Sequence, residues 1–322
     1  MRVLVIGGTR FIGREIVRRL VARGHDVAVL HRTDRHDLGP EVRNVQADRG
    51  DHAALAAAIR RERPEAVLDV AYDWAKGTTA ADVEAAARAC GDELRRYVFI
   101  SSIAAYGAGL DRREDDPLVG DDDPRPYAAH KASSERALFR LHASSGFPVV
   151  TFRPPYVHGP WQTLYREQFF WDRLRDGRPI VLPDGGSRAI QWVFVGDLAE
   201  ACVRALEVPE AVGQAFNVAH EPTTQRGYVE LLAQVAGCEP ELVAVPRARI
   251  EAEGGQLSGE RMYFGEALDR PPITEIVEKA PRILGVTPTP FANALRETYA
   301  WYLAQPRRPI DYAFEDRLLR GA

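Results

Sequence analysis

The chain has 322 residues, 45% of them hydrophobic, enough for a large core and an expected division into two lobes. A formal net charge of −4 argues against a protein that holds nucleic acid by general electrostatics. No run of 18 apolar residues is present, and Cys90, Cys202 and Cys238 are odd in number and widely spaced. A membrane span, a disulfide framework and a cysteine zinc site are therefore without support.

The chain opens on Arg2 to Ile6, a branched apolar run typical of a buried parallel strand. With a strand at the very start there is no room for a leader, so a cytoplasmic protein is expected. The run breaks at Gly7-Gly8, and Ile12, Ile16, Val17, Leu20 and Val21 then follow at helical spacing up to Gly24. Val27 to Leu30 reads as the second strand, Val42 to Gln46 as a short third and Ala53 to Arg60 as a helix. Ala66 to Val70 is the fourth strand, ending at Ala71, Asp82 to Cys90 a helix, and Arg96 to Ser101 the fifth strand. This alternation predicts an α/β fold with a doubly wound parallel sheet. The acidic stretch Asp111 to Asp123 reads as a solvated excursion.

A strand, a glycine turn and a helix start together form a cradle for a pyrophosphate, with Gly7, Thr9, Arg10, Phe11, Ile12 and Gly13 as its expected contacts. An NAD-selective site would carry an acid at the end of strand two; here the strand ends Leu30-His31-Arg32. Arg32, beside His31 and with Arg10 from the turn, suits a 2′-phosphate, so NADP is the expected cofactor and NAD the alternative. His31, Asp34, His36 and Asp37 lie in a loop without fixed ligand spacing, and no metal site is expected.

Two stretches carry chemistry. Phe99 to Gly107 (FISSIAAYG) places hydroxyls at a strand end, and Tyr127 and Lys131 stand four apart on one helix face. A tyrosine is a poor base at neutral pH; a nearby ammonium and a positive nicotinamide lower its pKa, and roughly three units correspond to about 4 kcal/mol. Tyr127 then exchanges a proton with the substrate oxygen, which Ser102 polarises.

These residues resemble an extended or atypical short-chain dehydrogenase/reductase of the NAD-dependent epimerase/dehydratase family. The likeness covers nearly the whole chain: GGTRFIG, Asp48, Asp69-Val70-Ala71, SSIAAYG, YAAHK, RPPYVHGP from Arg153, WVFVGDLAEA from Trp192 and GQAFNVA from Gly213. It implies a Rossmann domain of residues 1–155 plus 189–219 and a smaller substrate-binding lobe of 156–188 plus 220–322. It also implies Ser102, Tyr127 and Lys131 as the triad, with Lys131 holding the nicotinamide ribose. Asp48, with Arg49 beside it, falls on the adenine side, Ala71 at the cofactor's middle, and Pro154 and Val157 at the carboxamide end. A homodimer paired through the Tyr-Lys helix is implied as well.

Departures bear on substrate. Arg10 replaces the usual glycine, as in an atypical subgroup that includes chloroplast stem-loop-binding proteins. Ile103 and Ala104 replace the Asp-Glu of dehydratases, and Tyr156 and Ile190 replace an Asn and an Arg that grip a diphosphate in nucleotide-sugar epimerases, with Arg188 near enough to substitute. Tyr72 and Trp74 are expected as further pocket walls. The aromatic segment Gln168 to Leu174 is expected to pack against the other lobe, and His158 and His220 to be structural. Asp197 and Glu200 are expected to form a helix capping box, and the tail from Pro306 to pack on a partner or fray. The expected function is NAD(P)-dependent hydride transfer to a carbonyl or from a secondary alcohol of a small molecule. A sugar or sugar-nucleotide epimerase and a non-catalytic RNA-binding protein are the alternatives.

Overall fold

Arg2–Ile6 forms β1, an interior strand of a seven-stranded parallel sheet, in a computed structural model that describes residues 1–307 and 309–320. On one side β1 pairs with Asp26–His31 (β2), which pairs with Arg43–Gln46 (β3). On the other it pairs with Ala66–Asp69 (β4), followed by Arg96–Ile100 (β5), Val149–Phe152 and Gln214–Phe216. Strand order reverses at β1, so the crevice past the carboxyl ends of β1 and β4 is the switch point at which such sheets bind ligands.

The helices of the first half and the connection are Phe11–Ala22 (α1), His52–Glu62 (α2), Ala80–Ala89 (α3), Pro126–Ser145 (α4), Glu167–Arg175 (α5) and Val195–Glu207 (α6). Side chains alternate along each strand, and both faces of the sheet are apolar because helices cover both. Val3 and Val5 pack with Ile16, Leu20 and Leu198 of α1 and α6, while Leu4 and Ile6 pack with Leu55, Val83 and Leu138 of α2, α3 and α4.

A second core is built from other segments. Phe169, Phe170 and Trp171 of α5 are buried with Trp192, Tyr228, Phe264, Phe314 and Leu318. The aromatic segment thus fills the interior of this core, not a contact with the other lobe: its rings meet Tyr228, Phe264 and Tyr302 edge-on or tilted. The described part of the tail packs on its own chain. Phe314 and Leu318 of helix Ala313–Leu319 enter the second core, and Glu315 takes the Arg173 guanidinium in a buried pair.

The acidic stretch is also more than a solvated loop. Gly109–Arg112 pairs in parallel with Ile273–Glu275, and the Glu114 carboxylate accepts from the Asn217 N–H at 3.1 Å. The capping box does not form. Helix α6 starts three residues earlier than such a box requires, so Asp197 lies inside its first turn and accepts from the Thr289 N–H (2.8 Å) and hydroxyl (2.7 Å). Glu200 is drawn to Arg19 of α1 and to Arg23 just past its end.

Three buried groups give the second core a pH response. His158 and His220 face each other, Nε2 to Nε2, at 3.4 Å, and His220 stacks on Phe291 at 4.5 Å; burial holds both imidazoles below their usual range, His220 down to about 4. Burial pushes the Glu167 carboxyl the other way, from 4.5 up to about 7, and its Oε2 has no hydrogen-bond partner. The fold therefore favours the protonated acid. The stability this group contributes is present below its unfolded pKa and is lost as pH rises through about 7. Glu167→Gln does not titrate, so urea unfolding should show the variant gaining about 2–3 kcal/mol on wild type between pH 5 and pH 8.

Candidate active site

The glycine turn closes against the switch point. Gly7 has φ +86°, and a β-carbon there would lie 2.7 Å from Ala71 Cβ, so Ala71 at the end of β4 and the turn after β1 are in direct contact. Gly13 brings α1 equally close to the turn: its β-carbon would meet Gly8 Cα at 2.7 Å. Arg10 precedes α1 and its side chain makes no capping hydrogen bond. The first N–H groups of α1, from Phe11, Ile12 and Gly13, thus keep the unpaired donors that a diphosphate takes. A close turn, a glycine at the helix start and an uncapped N-terminus fit a dinucleotide, with half-buried Thr9 and exposed Arg10 at the rim.

Past β2, His31 is hydrogen-bonded to Asn44 and, at 2.8 Å, to Thr33. Arg32 extends toward Asp73 at 3.5 Å with its side chain 68% exposed, so it is available to an incoming anion. The Asp48 carboxylate accepts from the Gly50 N–H at 2.8 Å. Arg49, expected on the cofactor, is instead paired through both terminal nitrogens with Asp69, which also accepts from the Tyr97 hydroxyl at 2.7 Å. Asp69 is fully buried at the end of β4 and needs a counter-charge there, which composition alone did not reveal.

Strand β5 delivers Ser101 and Ser102, both buried, to its carboxyl end. Ser102 Oγ accepts from the Ala104 N–H at 3.2 Å and so starts the short turn Ile103–Tyr106. The Ile103 N–H donates to the Pro154 carbonyl at 3.0 Å, tying that turn to the strand Tyr156–His158, in which Val157 is buried opposite Val193. Helix α4 starts on Pro126 and carries Tyr127 in its first turn and Lys131 one turn on. Lys131 is buried and donates to the Ile100 carbonyl at 2.6 Å, with Nζ 4.8 Å from the Phe99 ring centre, 5.3 Å from Tyr72 and 5.8 Å from Tyr127. Burial pulls its ammonium down to about 8 against the opposing pull of Asp69 and Glu135.

Tyr127 differs from expectation in electrostatics, not in place. Burial raises its phenol pKa, while the Ser102 hydroxyl and the Arg166 charge pull the other way. Lys131, whose Nζ lies 5.8 Å from the Tyr127 ring centre, spends one hydrogen bond on the Ile100 carbonyl.

Next to Ser102 and Lys131 lies a polar layer that the sequence reading missed. Glu135, one turn beyond Lys131, accepts from Ser101, Thr151 (3.1 Å) and the Arg153 guanidinium (2.8–3.1 Å), all buried. Arg153 also donates to the Tyr106 hydroxyl at 2.8 Å, which in turn donates to Asn217 at 2.8 Å. The available signal was the Arg that opens RPPYVHGP at a strand end and a Glu four residues beyond the lysine of YAAHK.

The expected walls are brought to Tyr127. Trp74 stacks on it at 5.0 Å and 20°, and Tyr72 meets both rings edge-on. Tyr156 lies under Arg166 and donates to the Ala267 carbonyl at 2.9 Å. Arg188, expected to reach a diphosphate, is bound to the Asp269 carboxylate and carbonyl, each at 3.1 Å.

A model of the NAD-dependent epimerase/dehydratase family matches residues 3–219 of the chain. The chain belongs to that family. It is thereby an enzyme of the extended short-chain dehydrogenase/reductases, and the family is described as NAD dependent. The 41 kDa chloroplast stem-loop binding protein b of Arabidopsis thaliana is 31% identical over 258 residues, covering 75% of this chain and 65% of that protein's length. A 3-diazoavenalumate denitrifying reductase from a Streptomyces species is 32% identical over 260 residues, 74% of this chain and 83% of the relative. Among solved structures, the UDP-glucose 4-epimerase of Thermus thermophilus in complex with NAD superposes with a TM-score of 0.71 at 27% identity, over 95% of this chain and 100% of that one.

Within the family, the departures read from sequence have structural counterparts. Ile103 is buried in the turn after Ser102, and Ile190 is buried in the second core. Neither supplies the acid or the guanidinium that stands there in dehydratases and nucleotide-sugar epimerases. Among the described residues no helix is long and apolar enough to cross a membrane.

Proposed function

We propose that this enzyme is an NADP(H)-dependent reductase, or the reverse dehydrogenase, of a small-molecule carbonyl, with Tyr127 as its acid–base group. The observation that carries this reading is the convergence of Ser102, Tyr127 and Lys131 beside the β1 cradle, with Arg32 and no acid at the end of β2. When bound, a nicotinamide supplies or accepts the hydride. The turn Gly7 to Gly13 and the α1 N-terminus hold the diphosphate, Arg32 the 2′-phosphate, and Asp48 and Ala71 the adenosine side and the middle. Ser102 donates a hydrogen bond to the substrate oxygen, and Tyr127 gives that oxygen its proton. Lys131 keeps positive charge beneath the site while its ammonium persists. Burial favours the protonated phenol, which suits the direction of reduction.

On the same reading, residues 1–155 plus 189–219 are the dinucleotide domain and 156–188 plus 220–322 the substrate lobe of a cytoplasmic homodimer. Titrating the protein with NADPH and NADH tests the cofactor. NADPH should bind about tenfold tighter (about 1.4 kcal/mol), and Arg32→Ala should remove that margin without weakening NADH. Tightly held NAD at one per chain would favour an epimerase, the activity in the name of the Thermus neighbour. The buried Ile190 and the Arg188–Asp269 pair weigh against a nucleotide-sugar substrate. Stem-loop binding, named for the Arabidopsis relative, is opposed by the net charge of −4 and the intact triad.

A further inference from the structure

The sheet order puts β1 between β2 and β4, and the turn after β1 is the cradle. Arg32 directly follows β2, and Asp73 stands four residues beyond β4. Their side chains nonetheless meet: an Arg32 terminal nitrogen lies 3.5 Å from the Asp73 carboxylate. The pair therefore spans the crevice past the carboxyl end of β1, where Gly7 meets Ala71. Among the described residues Asp73 is the one carboxylate paired with Arg32.

The two partners are held unequally. Asp73 is fixed in its loop: its Oδ1 accepts from the Ala75 N–H at 2.9 Å and the Lys76 N–H at 3.1 Å, and its own N–H donates to the Thr78 hydroxyl at 2.9 Å. The Lys76 and Ala75 N–H groups hold its carboxyl below the usual carboxylate range, so it is charged at neutral pH. Its Oδ2 is left for Arg32, whose exposed guanidinium carries no other hydrogen bond. The cation is thus the partner free to leave. An exposed ion pair is worth little, whereas a phosphate takes a guanidinium through two parallel charge-assisted bonds. A 2′-phosphate on Arg32 displaces Asp73 from the guanidinium and meets the carboxylate as a like charge beside it. The same loop brings Tyr72 and Trp74 against Tyr127, so the contest takes place on the wall of the reacting end.

We propose that Asp73 is a specificity-determining residue: it competes with the 2′-phosphate of the cofactor for Arg32 and so limits the preference for NADPH over NADH. This rests on the reading of Arg32 as the ligand of that phosphate, and adds the group that opposes it. The test is calorimetric titration of wild type, Asp73→Asn, Arg32→Ala and the double variant with NADPH, NADH, 2′,5′-ADP and 5′-AMP. The last two lack the nicotinamide and differ only in the 2′-phosphate. Asparagine keeps a side-chain oxygen for the Ala75 and Lys76 N–H groups, so the loop keeps its turn. Asp73→Asn should bind NADPH and 2′,5′-ADP about three- to fivefold tighter, and NADH and 5′-AMP as the wild type does. The gain should fade between about 20 mM and about 500 mM salt, and in the Arg32→Ala background it should fall below about twofold. An NADPH affinity that Asp73→Asn leaves unchanged or weakens, an equal change for NADH, or a gain that survives Arg32→Ala in full overturns the proposal. If the wild type shows no preference for NADPH, the NADP reading fails. An Asp73→Asn variant that then gains such a preference, and loses it again with Arg32→Ala, still supports the proposal; one that gains none overturns it as well.

Discussion

Tyr127→Phe is expected to lower turnover by about a hundred- to ten-thousandfold while leaving NADPH affinity within about twofold of wild type. The substitution removes one oxygen and little else. A phenylalanine ring keeps the stack on Trp74 and the edge contact with Tyr72, so the pocket wall stays in place. Lys131 is anchored on the Ile100 carbonyl, not on Tyr127, and the cradle lies on another strand, so neither depends on the lost hydroxyl. Single-turnover reduction followed by NADPH absorbance, with a separate NADPH titration, distinguishes lost chemistry from lost binding. A variant that reduces its substrate at the wild-type rate would remove Tyr127 from the reaction.

The pH profile of the wild type carries the same information with a sign. Burial raises the Tyr127 pKa, so the phenol remains a proton donor across neutral pH and reduction should be flat there. Oxidation needs the phenolate and should climb as pH rises. Lys131 modulates that climb, because its ammonium titrates near 8 and its positive charge beneath the site fades above that. Rate profiles measured in both directions between pH 6 and pH 10 check this.

What was legible in the sequence follows the range of the forces involved. The β-α-β order and the cradle rest on local patterns, in which a branched run, two glycines and a helical repeat act over a few residues. Tyr127 and Lys131 were legible for the same reason, one helical turn apart. The misread elements are those settled by distant partners. Asp197 and Glu200 have capping-box spacing, yet Thr289 and Arg19 hold them. Gly109–Arg112 looks like an acidic loop until Ile273–Glu275 pairs with it. Arg49 and Arg188 both appear free in sequence, and each is held by an aspartate, Asp69 and Asp269, that no spacing connects to it.

The second large effect belongs to the polar layer next to Ser102 and Lys131. Arg153→Met should destabilise the protein by about 3–5 kcal/mol in urea unfolding, a large share of the roughly 5–15 kcal/mol that holds a domain. Arg153 and Glu135 are both buried and pair at 2.8 Å, so removing the guanidinium leaves the carboxylate without its paired charge in a medium that cannot solvate it. The Ser101 and Thr151 hydroxyls continue to donate to Glu135 but carry no compensating charge. Two further measurements separate this from a simple packing defect. Acidification discharges the orphaned carboxylate, so the deficit should narrow from pH 8 to pH 5, whereas a cavity would be indifferent to pH. Adding Glu135→Gln to Arg153→Met should recover part of the loss, because an amide still accepts from Thr151 without a buried charge. Glu135 lies one turn beyond Lys131 on α4, and Ser101 precedes Ser102 on the chain, so the layer fixes both catalytic candidates at their roots. The double variant should regain stability before it regains turnover. If both recover together, the pair contributes stability alone and the triad is positioned by the backbone of β5 and α4.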